Sequence, residues 1–67
     1  MGFSENLKNL RKLRNLDQAG LAKVLNVSAK TISHWETLYS EPSIAQLIAL
    51  ANFFDVTIDD LVDRKEQ

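Results

Sequence analysis

Between Asp17 and Thr37 the chain reads Gln18-Ala19-Gly20-Leu21-Ala22-Lys23-Val24-Leu25-Asn26-Val27-Ser28-Ala29-Lys30-Thr31-Ile32-Ser33-His34-Trp35-Glu36. The stretch divides at Asn26. On its amino side, Asp17 can accept a first-turn backbone N–H and so start a helix from Gln18 to Leu25, with Leu21, Ala22 and Leu25 on one stripe. Asparagine enters the left-handed backbone region at low cost, which suits a sharp turn. Ser28 can then cap a second helix from Ala29 to Glu36 that carries Ile32 and Trp35 inward. Helices joined across so short a turn cross steeply, and Ala22 gives the crossing room. The outward face of the second helix is Ala29, Lys30, Ser33, His34 and Thr37. These side chains are small or hydrogen-bonding, with one fixed positive charge, and a DNA major groove accepts a helix of this kind.

Outward from this pair the sequence predicts more helices. Ser4 can cap a first one whose buried stripe is Leu7, Leu10 and Leu13 and whose opposite face is basic. Residues 37–42 form a loop ending in Pro42, the single proline. Ser43 can cap a fourth helix with Leu47, Leu50, Ala51 and Phe54 buried. Thr57, with Asp60 three positions on, resembles a capping box and starts a fifth through Ile58, Leu61 and Val62. No stretch alternates with period two. The expectation is a compact, all-α, five-helix fold in one domain over residues 1–67.

Composition narrows the function. There is no cysteine, so disulfides and thiolate metal sites are excluded. His34 is the single histidine, which excludes a histidine-based metal site. Asp59, Asp60 and Asp63 lack the spacing and glycine of a calcium loop. The longest apolar runs, such as Leu47-Ile48-Ala49-Leu50-Ala51, fall far short of the roughly 18 residues of a membrane span. The start, Met1-Gly2-Phe3-Ser4-Glu5, has neither the basic flank nor the apolar core of a signal peptide, so a cytoplasmic location is expected. Net charge is −1, but residues 1–34 carry +4 and residues 35–67 carry −5. A duplex would be drawn to the first half and repelled by the second.

These residues resemble the phage-repressor and Cro-like (lambda-repressor-like) helix-turn-helix family. The likeness rests on Leu10-Arg11, Leu16 to Ala22, Val27-Ser28, Thr31-Ile32-Ser33, Trp35-Glu36 and Glu41-Pro42-Ser43. It closes on Leu50-Ala51 and Phe54 to Leu61, so that it spans residues 7–62. The resemblance implies a sequence-specific double-stranded DNA-binding transcriptional regulator, expected to be a repressor. It implies that Ala29, Lys30, Thr31, Ser33 and His34 read base edges or flanking phosphates. Gln18, Asn26, Ser28, Leu38, Tyr39 and Ser40 match positions near the sugar-phosphate backbone. Arg11 and Glu36 match a structural ion pair. Leu38, Tyr39, Ile58, Leu61 and Val62 lie where the family dimerises, implying a homodimer on an inverted repeat. No cofactor or small-molecule ligand is implied.

Three positions depart from the family pattern. Gly20 stands inside a helix, where glycine costs about 1 kcal/mol against alanine, and the sequence offers no reason for it. Asn26 replaces the usual turn glycine. Leu38 stands where a glycine commonly follows the third helix. The alternative function is an antitoxin or other protein-interaction module on the same fold, with DNA secondary; the acidic second half would suit a basic partner. An enzyme is not expected, because no nucleophile–base pair, metal spacing or phosphate-binding glycine loop appears.

Overall fold

A computed structural model describes residues 2–62. Among the described residues there are five α-helices and no strands: α1 (Phe3–Leu13), α2 (Gln18–Leu25), α3 (Ala29–Glu36), α4 (Ile44–Phe54) and α5 (Ile58–Val62). Of the charged tail, Asp63, Arg64, Lys65 and Glu66 lie outside the described residues. Side chains set the helix starts. Asp17 Oδ1 accepts the Gly20 N–H at 2.7 Å, Ser28 Oγ accepts that of Thr31 at 3.1 Å, and Thr57 Oγ1 accepts that of Asp60 at 3.0 Å. Ser43 and Gln46 form a reciprocal capping box.

The first helix departs from expectation at both ends. Ser4 does not cap it. Helix α1 begins at Phe3, preceded by Gly2, because Phe3 packs against the core and draws the first turn in. Leu13 is 77% exposed rather than buried. At 100° per residue it sits about 120° away from Leu7. The inward stripe runs through Leu7 and Leu10 to Arg11 instead.

Helices α1, α2, α4 and α3 end in one way. One residue past α2 and α4, and two past α1 and α3, the chain takes a left-handed conformation: Asn26 (φ 60), Asp55 (φ 59), Asn15 (φ 57) and Leu38 (φ 64). The next N–H then reaches back five residues, from Leu16 to Arg11, Val27 to Ala22, Val56 to Ala51 and Tyr39 to His34, at 2.9–3.1 Å. This closure satisfies carbonyls that the helix itself leaves unpaired. Asn and Asp tolerate the left-handed region; leucine lacks the local hydrogen bond that helps them.

Gly20 has a local reason. A Cβ there would lie 3.2 Å from Asp17 Oδ1 and 3.2 Å from Leu16 Cδ2. The absent side chain lets the Asp17 carboxylate close on the Gly20 N–H while Leu16 packs against the core.

The core joins all five helices through Leu7, Leu21, Ala22, Ile32, Trp35, Leu50, Ala51, Phe54 and Leu61. Helices α2 and α3 pack together closely, α1 lies on α3 and α5, and α4 lies on α2 and α5. Leu61 is fully buried, 0% exposed, which removes it from any surface for a second copy. It sits on the inward side of α5, and the Asn6 side-chain amide donates to its carbonyl at 3.1 Å. Burying one such leucine contributes about 1.5–3 kcal/mol.

Two charged residues also lie inside. Arg11 and Glu36 are only 8% and 7% exposed. Arg11 Nε donates to Glu36 Oε2 at 2.6 Å and Nη2 to Oε1 at 3.0 Å, a bidentate pair. Arg11 Nη1 donates to the Leu16 carbonyl at 2.8 Å, so the same guanidinium holds the α1–α2 turn. Burial pushes the Glu36 carboxyl up. Hydrogen bonds from Arg11 and Gln18, with the Arg11 and Lys8 charges, outweigh that and hold it below the usual glutamate range. The hydrogen bond to Glu36 leads in raising the Arg11 guanidinium, against desolvation.

Two outcomes follow for stability. A lowered folded-state pKa contributes stability that is complete above the ordinary glutamate value of about 4.3 and lost as pH falls through the folded value. Denaturant unfolding from pH 7 downward should therefore show Glu36→Gln less stable at pH 7 by about 3 kcal/mol, with a shallower loss toward acid than the parent chain. Equal acid slopes in the two proteins would contradict this. Separately, Leu38→Gly relieves the left-handed strain and is expected to raise stability by about 1 kcal/mol, or roughly 4–8 °C in melting temperature for a domain of this size. A calorimetric melting point unchanged or lowered would show that Leu38 is not strained.

Candidate nucleic-acid interface

The exposed surface of α3 follows from what α3 buries. Ile32, Trp35 and Glu36 face the protein. The helix repeat then turns Ala29, Lys30, Ser33, His34 and Thr37 the other way. Ala29, Lys30 and Thr37 are exposed, and Ser33 and His34 are half-buried. Ala29 and Lys30 sit in the first turn, where a helix end presents them beyond its neighbours. Thr37 is tied down, its Oγ1 donating to the Ser33 carbonyl at 3.1 Å and the His34 carbonyl at 3.3 Å.

Two residues matched to DNA contact are committed to the protein as well. Thr31 is half-buried, and its Oγ1 lies 2.9 Å from Ser28 Oγ, which already accepts the Thr31 N–H. Both hydroxyls thus build the start of α3. A hydroxyl has one donor and two acceptor positions, so Ser28 Oγ retains capacity for one further bond and Thr31 Oγ1 for two.

Gln18 opens α2. Its Nε2 donates to Glu36 Oε1 at 3.1 Å, joining it to the buried pair. One amide N–H and the amide oxygen remain for another partner. Asp17 sits one residue earlier with its carboxylate on the first turn, offsetting part of the positive end of α2. An anion beside α2 would therefore meet the Gln18 side chain more favourably than the bare helix end. Asn26 is exposed at the left-handed turn.

Beyond α3 the loop brings Leu38, Tyr39 and Ser40 back beside it. Leu38 is 64% and Tyr39 78% exposed. The Tyr39 ring lies against the His34 imidazole, with centroids 4.4 Å apart and planes at 45°. Ile58 is exposed and Val62 half-buried on α5. Ile44 and Ile48, exposed on α4, are apolar surface that the sequence did not single out. They occupy the outer side of a helix whose composition is apolar nearly throughout, so periodicity gave no contrast.

Charge is distributed accordingly. Lys8, Lys12, Arg14, Lys23 and Lys30 are exposed, while Arg11 is spent on Glu36. Arg14 lies over the rings of Phe53 and Phe54 at 5.3 and 5.6 Å, which ties it to α4. The acids Asp55, Asp59 and Asp60 are exposed at the end of α4 and on α5. Among the described residues no three His, Cys, Asp or Glu side chains gather as a metal site, and no helix is long and apolar enough to cross a membrane.

Comparison with known proteins agrees with this geometry. The chain is 42% identical over 66 residues to the HTH-type transcriptional activator BcrR of Enterococcus faecalis, covering 98% of this chain and 32% of that protein. It is 35% identical over 63 residues to the HTH-type transcriptional regulator AnsR of Bacillus subtilis, covering 94% of this chain and 54% of that protein. The chain therefore spans between a third and about half the length of these two relatives. Its fold matches the P22 c2 repressor in complex with a synthetic operator, with TM-score 0.89, 31% identity, and coverage of 97% of this chain and 98% of that one. The same fold forms 35% of HppE in its FeII form with substrate, with TM-score 0.80, 32% identity and 91% of this chain covered. The helix-turn-helix family model matches residues 7–61. Through those residues, nearly all of its length, this chain belongs to the helix-turn-helix family.

Proposed function

We propose that this chain is the DNA-reading part of a transcriptional regulator, placing α3 in the major groove of double-stranded DNA. The observation that carries this is the outward face of α3. It is small and polar with Lys30 at its amino end, while Ile32 and Trp35 anchor the opposite face. Ala29, Lys30, Ser33 and His34 meet base edges or flanking phosphates, and Thr31 contributes through its hydroxyl. Gln18, Ser28 and Asn26 lie along the adjacent backbone strand with Ser40 and Tyr39. This role is one of binding rather than catalysis.

A homodimer is part of the reading. Leu38, Tyr39, Ile58 and Val62 offer apolar surface to a second copy, whose reading helix would then lie about 34 Å away on an inverted repeat. Where such an operator overlaps a promoter, occupancy represses it. A cytoplasmic location fits this role.

A second reading rests on the exposed acids Asp55, Asp59 and Asp60, which would suit a basic partner, and on a fold that is not confined to regulators, since it also forms part of HppE. In that reading the domain is an antitoxin or other protein-interaction module that binds DNA only secondarily. Selection of bound duplexes from a random pool separates the two. A DNA reader enriches one palindromic site, and its affinity falls steeply as salt rises. Lys30→Ala combined with His34→Ala should abolish the site preference while leaving the helical circular dichroism unchanged. Preference that persists in the double variant would show that α3 is not the reading helix. A wild-type chain that enriches no site would favour the interaction module.

A further inference from the structure

His34 is fixed at both its main chain and its ring. Its carbonyl accepts the Tyr39 N–H at 2.9 Å, the Ser40 N–H at 3.3 Å and Thr37 Oγ1 at 3.3 Å. Its imidazole lies against the Tyr39 ring, centroids 4.4 Å apart. The other helix ends closed in this manner send the residue after the left-handed position into the protein: Leu16, Val27 and Val56 all pack against the core. The corresponding residue at the end of α3 is Tyr39, which is 78% exposed and instead turns back onto the outward face of α3. The left-handed backbone of Leu38, φ 64, brings it there. A strained backbone residue thus places an exposed aromatic ring on the one imidazole of the reading face. Neither feature serves the core.

We propose that Tyr39 is a positioning residue for DNA readout: its ring holds the His34 imidazole in one orientation before DNA arrives, so that His34 discriminates at one base pair of each half-site. This rests on α3 being the reading helix. The imidazole can offer a donor or an acceptor to a base edge in the major groove. A free histidine side chain samples three χ1 wells and about two χ2 arrangements. Holding it in one raises the competent fraction, and with it the apparent affinity for the preferred base, by up to about sixfold. At 4.4 Å between centroids the two rings are in contact, so the Tyr39 ring bounds the space the imidazole can sweep. The work is done by the ring, not by the hydroxyl.

That distinction gives the test. The parent chain, His34→Ala, Tyr39→Phe and Tyr39→Leu are each put through selection from a random duplex pool, and the His34 ring protons are observed by NMR in the DNA-free proteins. H34A should lose preference at one base pair in each half-site. Y39L should lose up to about sixfold at that same base pair and keep the others. Y39F should keep the preference even where overall affinity drops. The His34 ring protons should show the ring-current shift of Tyr39 in the parent and Y39F, and lose it in Y39L. The proposal is overturned if Y39L retains full preference at the His34 base pair, or if Y39F and Y39L weaken all positions alike, which would mean a hydroxyl–phosphate contact. It is overturned too if H34A leaves the preferred site unaltered, or if Y39L loses its helical circular dichroism, since Tyr39 would then be structural. A parent chain that enriches no site at all removes the DNA-reading function itself, an outcome distinct from these.

Discussion

The buried contact between Arg11 and Glu36 is the constraint on which the presentation of α3 depends. A helix of eight residues is too short to persist in water by itself. Ile32 and Trp35 give α3 its apolar anchor, but hydrophobic contact is not directional. The fork of the guanidinium on the carboxylate is directional, and it fixes the carboxyl-terminal end of α3 against α1. Glu36 also accepts from Gln18, so a single carboxylate joins α1, the start of α2 and the end of α3. Breaking that link leaves a buried charge without a partner, which explains why the arrangement is kept despite the cost of burying ions.

The loops act by a second recurring device. After α1, α2, α3 and α4 the chain reverses through a left-handed residue and a long backward hydrogen bond. The device is uniform, but the residues that execute it are not. Asn15, Asn26 and Asp55 are residues that adopt the conformation readily, and each is followed by an apolar side chain packed on the core. Leu38 and Tyr39 break both habits at once, and they do so beside the face of α3 that is proposed to meet DNA. Natural sequences tend to violate local rules where function outweighs stability.

How far the sequence could be read followed the strength of each local signal. The boundaries of α2 and α3 were legible because Asp17 and Ser28 are strong caps and Asn26 is a strong stop, all within one short stretch. Which face of α3 turns outward followed from the spacing of Ile32 and Trp35 alone. Leu13 was misplaced because the inward stripe of α1 ends in a charged residue, and a periodic reading of apolar side chains does not expect arginine to continue it. The partner of Arg11 lies 25 residues away, so no local pattern could name it; family resemblance could. Leu61 was placed at the dimer surface by family resemblance, and a five-residue helix shows too little periodicity to separate its sides and correct that. Ser43 was read as a cap, but the answering bond from Gln46, three residues on, was not. Nor was the stacking of Tyr39 on His34, because it depends on a left-handed leucine that sequence preference argues against.

Contact with DNA is proposed to run through α3 and the start of α2. It is tested most directly by titrating isotopically labelled protein with the duplex it selects and following backbone amide resonances. Large shifts should fall at Gln18 and across Ala29 to His34, with α4 nearly unmoved. Large shifts confined to α4 and α5, around Ile44, Ile48 and Ile58, with Ala29 to His34 unchanged, would contradict it.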